Sequence, residues 1–250
     1  METGLGLPPG ISACLFDLDG VLTKTAKVHA KAWKTMFDDF LKQRAAATGE
    51  PFQPFDEVDD YDLYVDGKPR HEGVRSFLEA RHLALPEGSP DDPPEADTIY
   101  GLGSRKDQIF LSLIHTQGVE VYDGSVRYLH AARSAGLKVA VVTSSKNCTE
   151  VLRAAKLDGL FDAQVDGNVA EAKNLKGKPD PDTYLEAAST LSVKARAAAV
   201  FEDALAGVEA GRAGGFGIVI GVDRVGQAEA LKQHGADIVV NDLADLMKTN

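Results

Sequence analysis

The sequence predicts an α/β fold: a Rossmann-like doubly wound parallel sheet, interrupted near its start by an inserted α-helical cap domain. Three observations carry the prediction. Short apolar runs recur without polar alternation, the pattern of strands buried on both faces. Helical periodicity separates these runs, which argues for parallel strands with helices on both sides. Residues 26–118 break the rhythm, with helical patterns and no convincing buried strand. The predicted core is therefore 1–25 with 119–250, and the predicted cap is 26–118.

The first strand is read at residues 13–16, and it ends abruptly in Asp17, Asp19 and Gly20. Acids at the carboxyl end of such a strand sit where these sheets place ligands. Two neighbouring buried carboxylates are costly unless a cation or a tuned pKa offsets them. The pair asks for a metal, a proton shared between roles, or both; two solvated acids at a strand end are the plainer alternative. In the cap, helices are predicted over 28–44, 73–81 and 106–116, with an irregular loop over 85–94 rich in proline, glycine and acids. The acidic run 56–62 reads as solvated surface. The core continues with a helix at 126–135, a strand at 138–144 and helices at 149–155 and 181–191. A strand follows at 197–203, then a helix at 204–213, a strand at 217–222 and a short strand at 236–241. The glycines of 211–217 end a helix and precede a strand, the wrong order for a dinucleotide loop.

The 27 basic and 38 acidic residues give a formal charge of -11. Bulk-charge binding to nucleic acid or an anionic membrane is thus not expected. No basic-then-apolar leader is read, and no apolar run approaches a membrane span. The two cysteines, Cys14 and Cys148, do not suggest a disulfide framework, and a reducing cytoplasm is the expected setting. A monomer is expected, with a dimer as the alternative.

Four strand ends present a coherent chemical set: Asp17 and Asp19; Thr143, Ser144 and Ser145; Lys178; Glu202 and Asp203. Acids on neighbouring strands offer the hard oxygens that Mg²⁺ prefers. Hydroxyls, helix-start N–H groups and a lysine can hold a phosphate. One carboxylate can attack phosphorus to form an acyl phosphate, and a second can shuttle the proton. The set suits phosphoryl transfer.

In order, the segments Asp17-Leu-Asp-Gly-Val-Leu-Thr23, Thr143-Ser-Ser145, Lys178 and Glu202-Asp203 resemble the four motifs of the haloacid dehalogenase superfamily. Over nearly its whole length the chain is also similar to the β-phosphoglucomutase-like subfamily, most specifically at 143–147, 177–182 and 201–207. The resemblance implies that Asp17 is the nucleophile and Asp19 the general acid/base. It implies Mg²⁺ held by the Asp17 carboxylate, the Asp19 backbone carbonyl and Asp203, with Glu202 a nearer or more remote contributor. Thr143, Ser144, Ser145, Lys146 and Asn147 would bind phosphate, and Lys178 would bridge nucleophile and phosphate.

In the cap it implies substrate contacts from Thr25 and His29, with Trp33 one turn further on the same helix face. Lys106 would partner His29 in reporting substrate and helping the cap close. The segment 66–72, with Gly67 and Arg70, would specify the sugar phosphate; the planar fork of Arg70 suits its distal phosphate. The implied activity interconverts β-glucose 1-phosphate and glucose 6-phosphate through the 1,6-bisphosphate, with a sugar-phosphate phosphatase as the alternative. A non-catalytic sugar-phosphate binder would lack Asp17 or Asp19, and both are present. Two departures stand out: Lys24 occupies a hinge position where relatives commonly carry an acid, and the loop 85–96 is long. Cys148 has no base beside it in sequence and is not read as a catalytic thiol.

Overall fold

Ala13–Phe16 forms strand β1, and every residue in it is buried, which is why the run shows no polar alternation. The computed structural model describes residues 4–247. The chain divides into two compact units, Met1–Lys24 with Val119–Asn250, and Thr25–Gly118.

The first unit is built on a six-stranded sheet in the order β3-β2-β1-β4-β5-β6. The other strands are β2 (Lys138–Val142), β3 (Ala163–Val165), β4 (Ala198–Glu202), β5 (Ile218–Val222) and β6 (Ile238–Val240). All pairings are parallel; Ala13 lies opposite Lys138 on one side and Ala198 on the other. The order reverses between β1 and β4, and ligands bind beyond the strand ends at such a switch point. The helices of this unit are α4 (Asp123–Ser134), α5 (Cys148–Ala154), α6 (Gly167–Ala172), α7 (Asp182–Thr190), α8 (Leu205–Ala213) and α9 (Ala228–Gln233).

On one sheet face Leu15, Val142 and Val200 pack with Tyr184, Ala187 and Leu191 in a continuous apolar layer. Elsewhere Phe16 stacks on Phe201 with ring centroids 4.6 Å apart, and Tyr128 meets Phe16 edge-on at 6.3 Å. Strand β3 and helices α6 and α9 escape the sequence reading. In β3 the half-buried Gln164 interrupts a three-residue run; its amide donates to Thr149 Oγ1 and to Asp166, so a polar side chain is satisfied where an apolar one was awaited.

The second unit contains α1 (Ala26–Thr48), a π-helical turn (Tyr61–Val65), α2 (Arg70–Ala80) and α3 (Ile99–Gln117). Its core follows from the spacing of Ala30, Trp33, Phe37, Phe40 and Leu41, a single stripe on α1. Phe37 lies at the centre, 4.1 Å from Phe77 and 5.3 Å from both Trp33 and Phe55. Helix α3 starts earlier than its periodicity suggests because Thr98 caps it, accepting a hydrogen bond from Gly101 N–H at 2.9 Å. The long loop before it is tied down: Thr98 donates to Asp92 at 2.6 Å, and Arg105 donates to the Pro94 carbonyl at 2.6 Å. Among the described residues no helix is long and apolar enough to cross a membrane.

Candidate active site

Strand β1 delivers Asp17, β2 delivers Thr143 and β4 ends in Glu202, so three of the four predicted groups follow neighbouring strands. Lys178 does not stand at a strand end. It lies in the loop joining α6 to α7 and reaches the sheet edge through its side chain.

That side chain organises the centre. The Lys178 ammonium lies 2.5 Å from Asp17 Oδ1, bonds Glu202 Oε1 and hangs 5.0 Å above the Tyr184 ring. Asp17 is 6% exposed, Lys178 4% and Glu202 1%. Tyr184, absent from the sequence reading, donates to Glu202 Oε1 at 2.9 Å, and Glu202 Oε2 accepts from the N–H groups of Asp203 and Ala204. Both oxygens of Glu202 are thus committed, and the residue holds Lys178 in place. Nothing local in the sequence marks Tyr184, which otherwise reads as one more apolar position on α7.

Carboxylate oxygens of Asp17, Glu202 and Asp203 lie within 4.8 Å of one another. Burial pulls the Lys178 pKa down, but the charges and hydrogen bonds of Asp17 and Glu202 more than offset this, so the ammonium stays charged. Burial pushes the Asp17 carboxyl well above its usual range; Lys178 opposes the rise, while Glu202 and Asp19 add to it. One lysine facing this many acids leaves an excess of negative charge on hard oxygens. The donor set fits a divalent cation.

The turn after β1 is equally constrained. Gly20 has φ +87°, and a Cβ there would lie 1.7 Å from Asp203 Oδ2. Gly20→Ala is therefore expected to force the two acid-bearing loops apart and to lower kcat/KM by about 10²-fold, the usual cost of displacing reacting groups by about 1 Å. Steady-state kinetics beside urea unfolding would check it; activity within twofold of the parent would show that the loops yield freely.

Thr143 Oγ1 lies 3.3 Å from Asp19 Oδ2 and accepts from Ser145 N–H at 3.1 Å, so the β2 loop is joined to the β1 loop. Ser145 Oγ accepts from Asn147 N–H at 3.1 Å, while Ser144 contributes its carbonyl beside Gly167. Lys146 is directed elsewhere, to Glu171 at 2.8 Å on the surface of α6. Cys14 and Cys148 are buried free thiols, and burial pushes the pKa of each upward, which leaves them unreactive.

The predicted cap residues gather in the second unit. The Lys106 ammonium, 5% exposed, lies 2.6 Å from His29 Nδ1 and 5.0 Å above the rings of Trp33 and Phe110. Phe110, missed in the sequence reading, stacks on His29 at 4.0 Å. Thr25 is buried at the start of α1, and its carbonyl accepts from His29 N–H at 2.8 Å. Arg70 opens α2 and pairs with Asp107 at 2.8 Å, a partner the motif did not announce. Gly67, at φ +68°, lies in the connection between the π-helical turn and α2. At the unit boundary, Lys24 bonds Glu120 at 3.1 Å, so the departure at this position comes with an opposite charge to meet it.

A family model described as haloacid dehalogenase-like hydrolase matches residues 11–215. The beta-phosphoglucomutase of Mycobacterium tuberculosis is 55% identical over 246 residues, 97% of this chain and 94% of that protein. The beta-phosphoglucomutase of Bacillus subtilis is 32% identical over 237 residues, 94% of this chain and 92% of that one. The solved beta-phosphoglucomutase of Clostridium difficile matches with a TM-score of 0.73 at 26% identity, covering 94% of this chain and 93% of that chain. With its motif residues gathered at the switch point of a parallel sheet, the chain belongs to the haloacid dehalogenase-like hydrolase family.

Proposed function

We propose that the chain is a magnesium-dependent β-phosphoglucomutase, which interconverts β-glucose 1-phosphate and glucose 6-phosphate through the 1,6-bisphosphate. The observation that carries the reading is the buried Asp17 carboxylate, held by Lys178 within reach of Asp203 and one residue removed from Asp19. Asp17, Asp203 and the Asp19 backbone carbonyl would hold Mg²⁺, with Glu202 supporting them. The ion, when bound, neutralises charge on the nucleophile and the transferring phosphoryl group.

In the proposed cycle the 6-hydroxyl of β-glucose 1-phosphate attacks the phosphoryl group carried on Asp17. Asp19 takes the hydroxyl proton, the Asp17–phosphorus bond breaks, and the bisphosphate forms. After the bisphosphate turns over, Asp17 attacks the 1-phosphate and Asp19 returns the proton to the departing sugar oxygen, leaving glucose 6-phosphate and phospho-Asp17. Lys178 offsets charge at Asp17 throughout. Thr143, Ser144, Ser145 and Asn147 serve the phosphate, with Lys146 in an outer role. Arg70, whose Nη1 serves Asp107 and the Gly103 carbonyl, has further donors for a distal phosphate. Thr25, His29, Trp33, Gly67 and Lys106 select the sugar phosphate.

The test is to incubate the protein with Mg²⁺, β-glucose 1-phosphate and a trace of the 1,6-bisphosphate, and to follow glucose 6-phosphate and free phosphate together. Isomer without matching phosphate release is expected. Rapid phosphate release with little isomer would assign the same machinery to hydrolysis, with water as acceptor. Asp19→Ala should lower the rate by about 10²–10⁴-fold, the contribution typical of a positioned acid/base; turnover near the parent rate would remove Asp19 from the proton path.

A further inference from the structure

The loop after β5 touches both acid-bearing loops from behind, and no motif draws attention to it. The guanidinium of Arg224 lies 3.5 Å above the Tyr122 ring. Its Nε donates to the Gly20 carbonyl at 2.7 Å, Nη1 to the Asn241 carbonyl at 2.8 Å, and Nη2 to the Val21 carbonyl at 3.3 Å. Three residues later, Gln227 Nε2 donates to the Asp203 carbonyl at 3.1 Å. One short segment therefore grips the turn that follows Asp19 and the residue Asp203 itself.

The segment is rigid enough to act as a gauge. The Asp223 carboxylate accepts from the N–H groups of Val225 at 3.2 Å, Gly226 at 2.7 Å, Gln227 at 2.9 Å and Ala228 at 3.2 Å. On the other side, Gly20 N–H donates to the Thr23 carbonyl at 2.8 Å, which fixes the plane of the Asp19–Gly20 peptide and hence the direction of the Asp19 carbonyl. The peptide after it is fixed by Arg224.

We infer that Arg224 and Gln227 are positioning residues that set the spacing between the Asp19 backbone carbonyl and Asp203, and through that spacing the affinity for the divalent ion. The inference rests on the proposed metal-binding reading of these acids. Partners that orient metal ligands typically govern affinity by 10–100-fold when removed. Arginine at this place is not replaceable by lysine, because a single ammonium cannot reproduce its forked donors.

The test is direct Mn²⁺ binding to the sugar-free protein, read from the loss of the free-ion electron paramagnetic resonance signal. Arg224→Lys and Gln227→Ala should each weaken binding by about tenfold or more. Their rate should be recovered as Mg²⁺ is raised, whereas damage to the fold alone would lower kcat at every metal concentration. Gln227 is linked to the site by one side-chain bond, so its variant remains informative if the arginine variant folds poorly. Parent-like Mn²⁺ affinity in Gln227→Ala and in folded Arg224→Lys would overturn the inference while leaving the metal reading intact. No Mn²⁺ binding by the parent protein would overturn both.

Discussion

Asp17→Asn is expected to reduce turnover by at least about 10⁴-fold, the order of loss seen when a covalent nucleophile is removed. An amide cannot become the acyl phosphate, and the neighbouring Glu202 is not free to substitute. Both oxygens of Glu202 are occupied by Lys178, Tyr184 and two backbone N–H groups. The fold should not suffer. The change removes one charge from a buried group that has more acids than lysines, and the amide oxygen can still accept from Lys178. Urea unfolding should therefore find the variant at least as stable as the parent when metal is withheld. Labelling with radioactive bisphosphate should give a hydroxylamine-sensitive protein phosphate in the parent and none in the variant. Residual activity above about one per cent, or an equally labelled variant, would move the nucleophile elsewhere.

Lys178→Met acts on the same centre with the opposite result for stability. The ammonium neutralises part of the charge on Asp17 and Glu202, and its removal leaves both acids buried without their partner. Breaking a buried pair from one side commonly costs about 3–5 kcal/mol, and that loss is expected here in metal-free urea unfolding. Mg²⁺ should restore part of it by supplying positive charge. The deficit should also depend on pH. Burial already raises the Asp17 carboxyl and Lys178 opposes the rise, so without the lysine the folded pKa of Asp17 stands further above its unfolded value and protonation favours the folded state. The deficit is therefore smallest at low pH and grows as pH rises through the raised folded value of Asp17. A deficit independent of pH and metal would point to packing against Tyr184 instead of charge. Activity should fall with the lost charge compensation at Asp17.

How much of this was legible in the sequence differs by residue. Strand β1 and its acids could be read because the whole signal is local: four buried residues, then carboxylates and a glycine. The Gly20 requirement could be suspected but not explained, since it arises from contact with Asp203, far along the chain. Tyr184, Arg224 and Gln227 carry no local mark at all; each matters through contacts with residues far away in the chain. Helix α3 begins at Ile99, ahead of the 106–116 that the sequence predicts, and its first turns hold Gly101 and Gly103. Gly101 discourages helix by propensity, yet a Cβ there would lie 2.2 Å from the Ala96 carbonyl, so close packing selects it. Lys146 lies inside a strong motif, and its pairing with Glu171 on α6 is a contact that local sequence does not announce.

The strand order has a consequence for how the chain is made. During synthesis β1 leaves the ribosome long before its two sheet neighbours, residues 138–142 and 198–202. Its apolar run and its unpaired backbone groups must wait for partners, with the long loop closures that slow folding. The helical unit draws its aromatic core from residues 30–102 and can condense in the interval. Translation thus produces Asp17 well before Glu202 and Asp203, so a chain terminated between them would carry the proposed nucleophile without its charge balance.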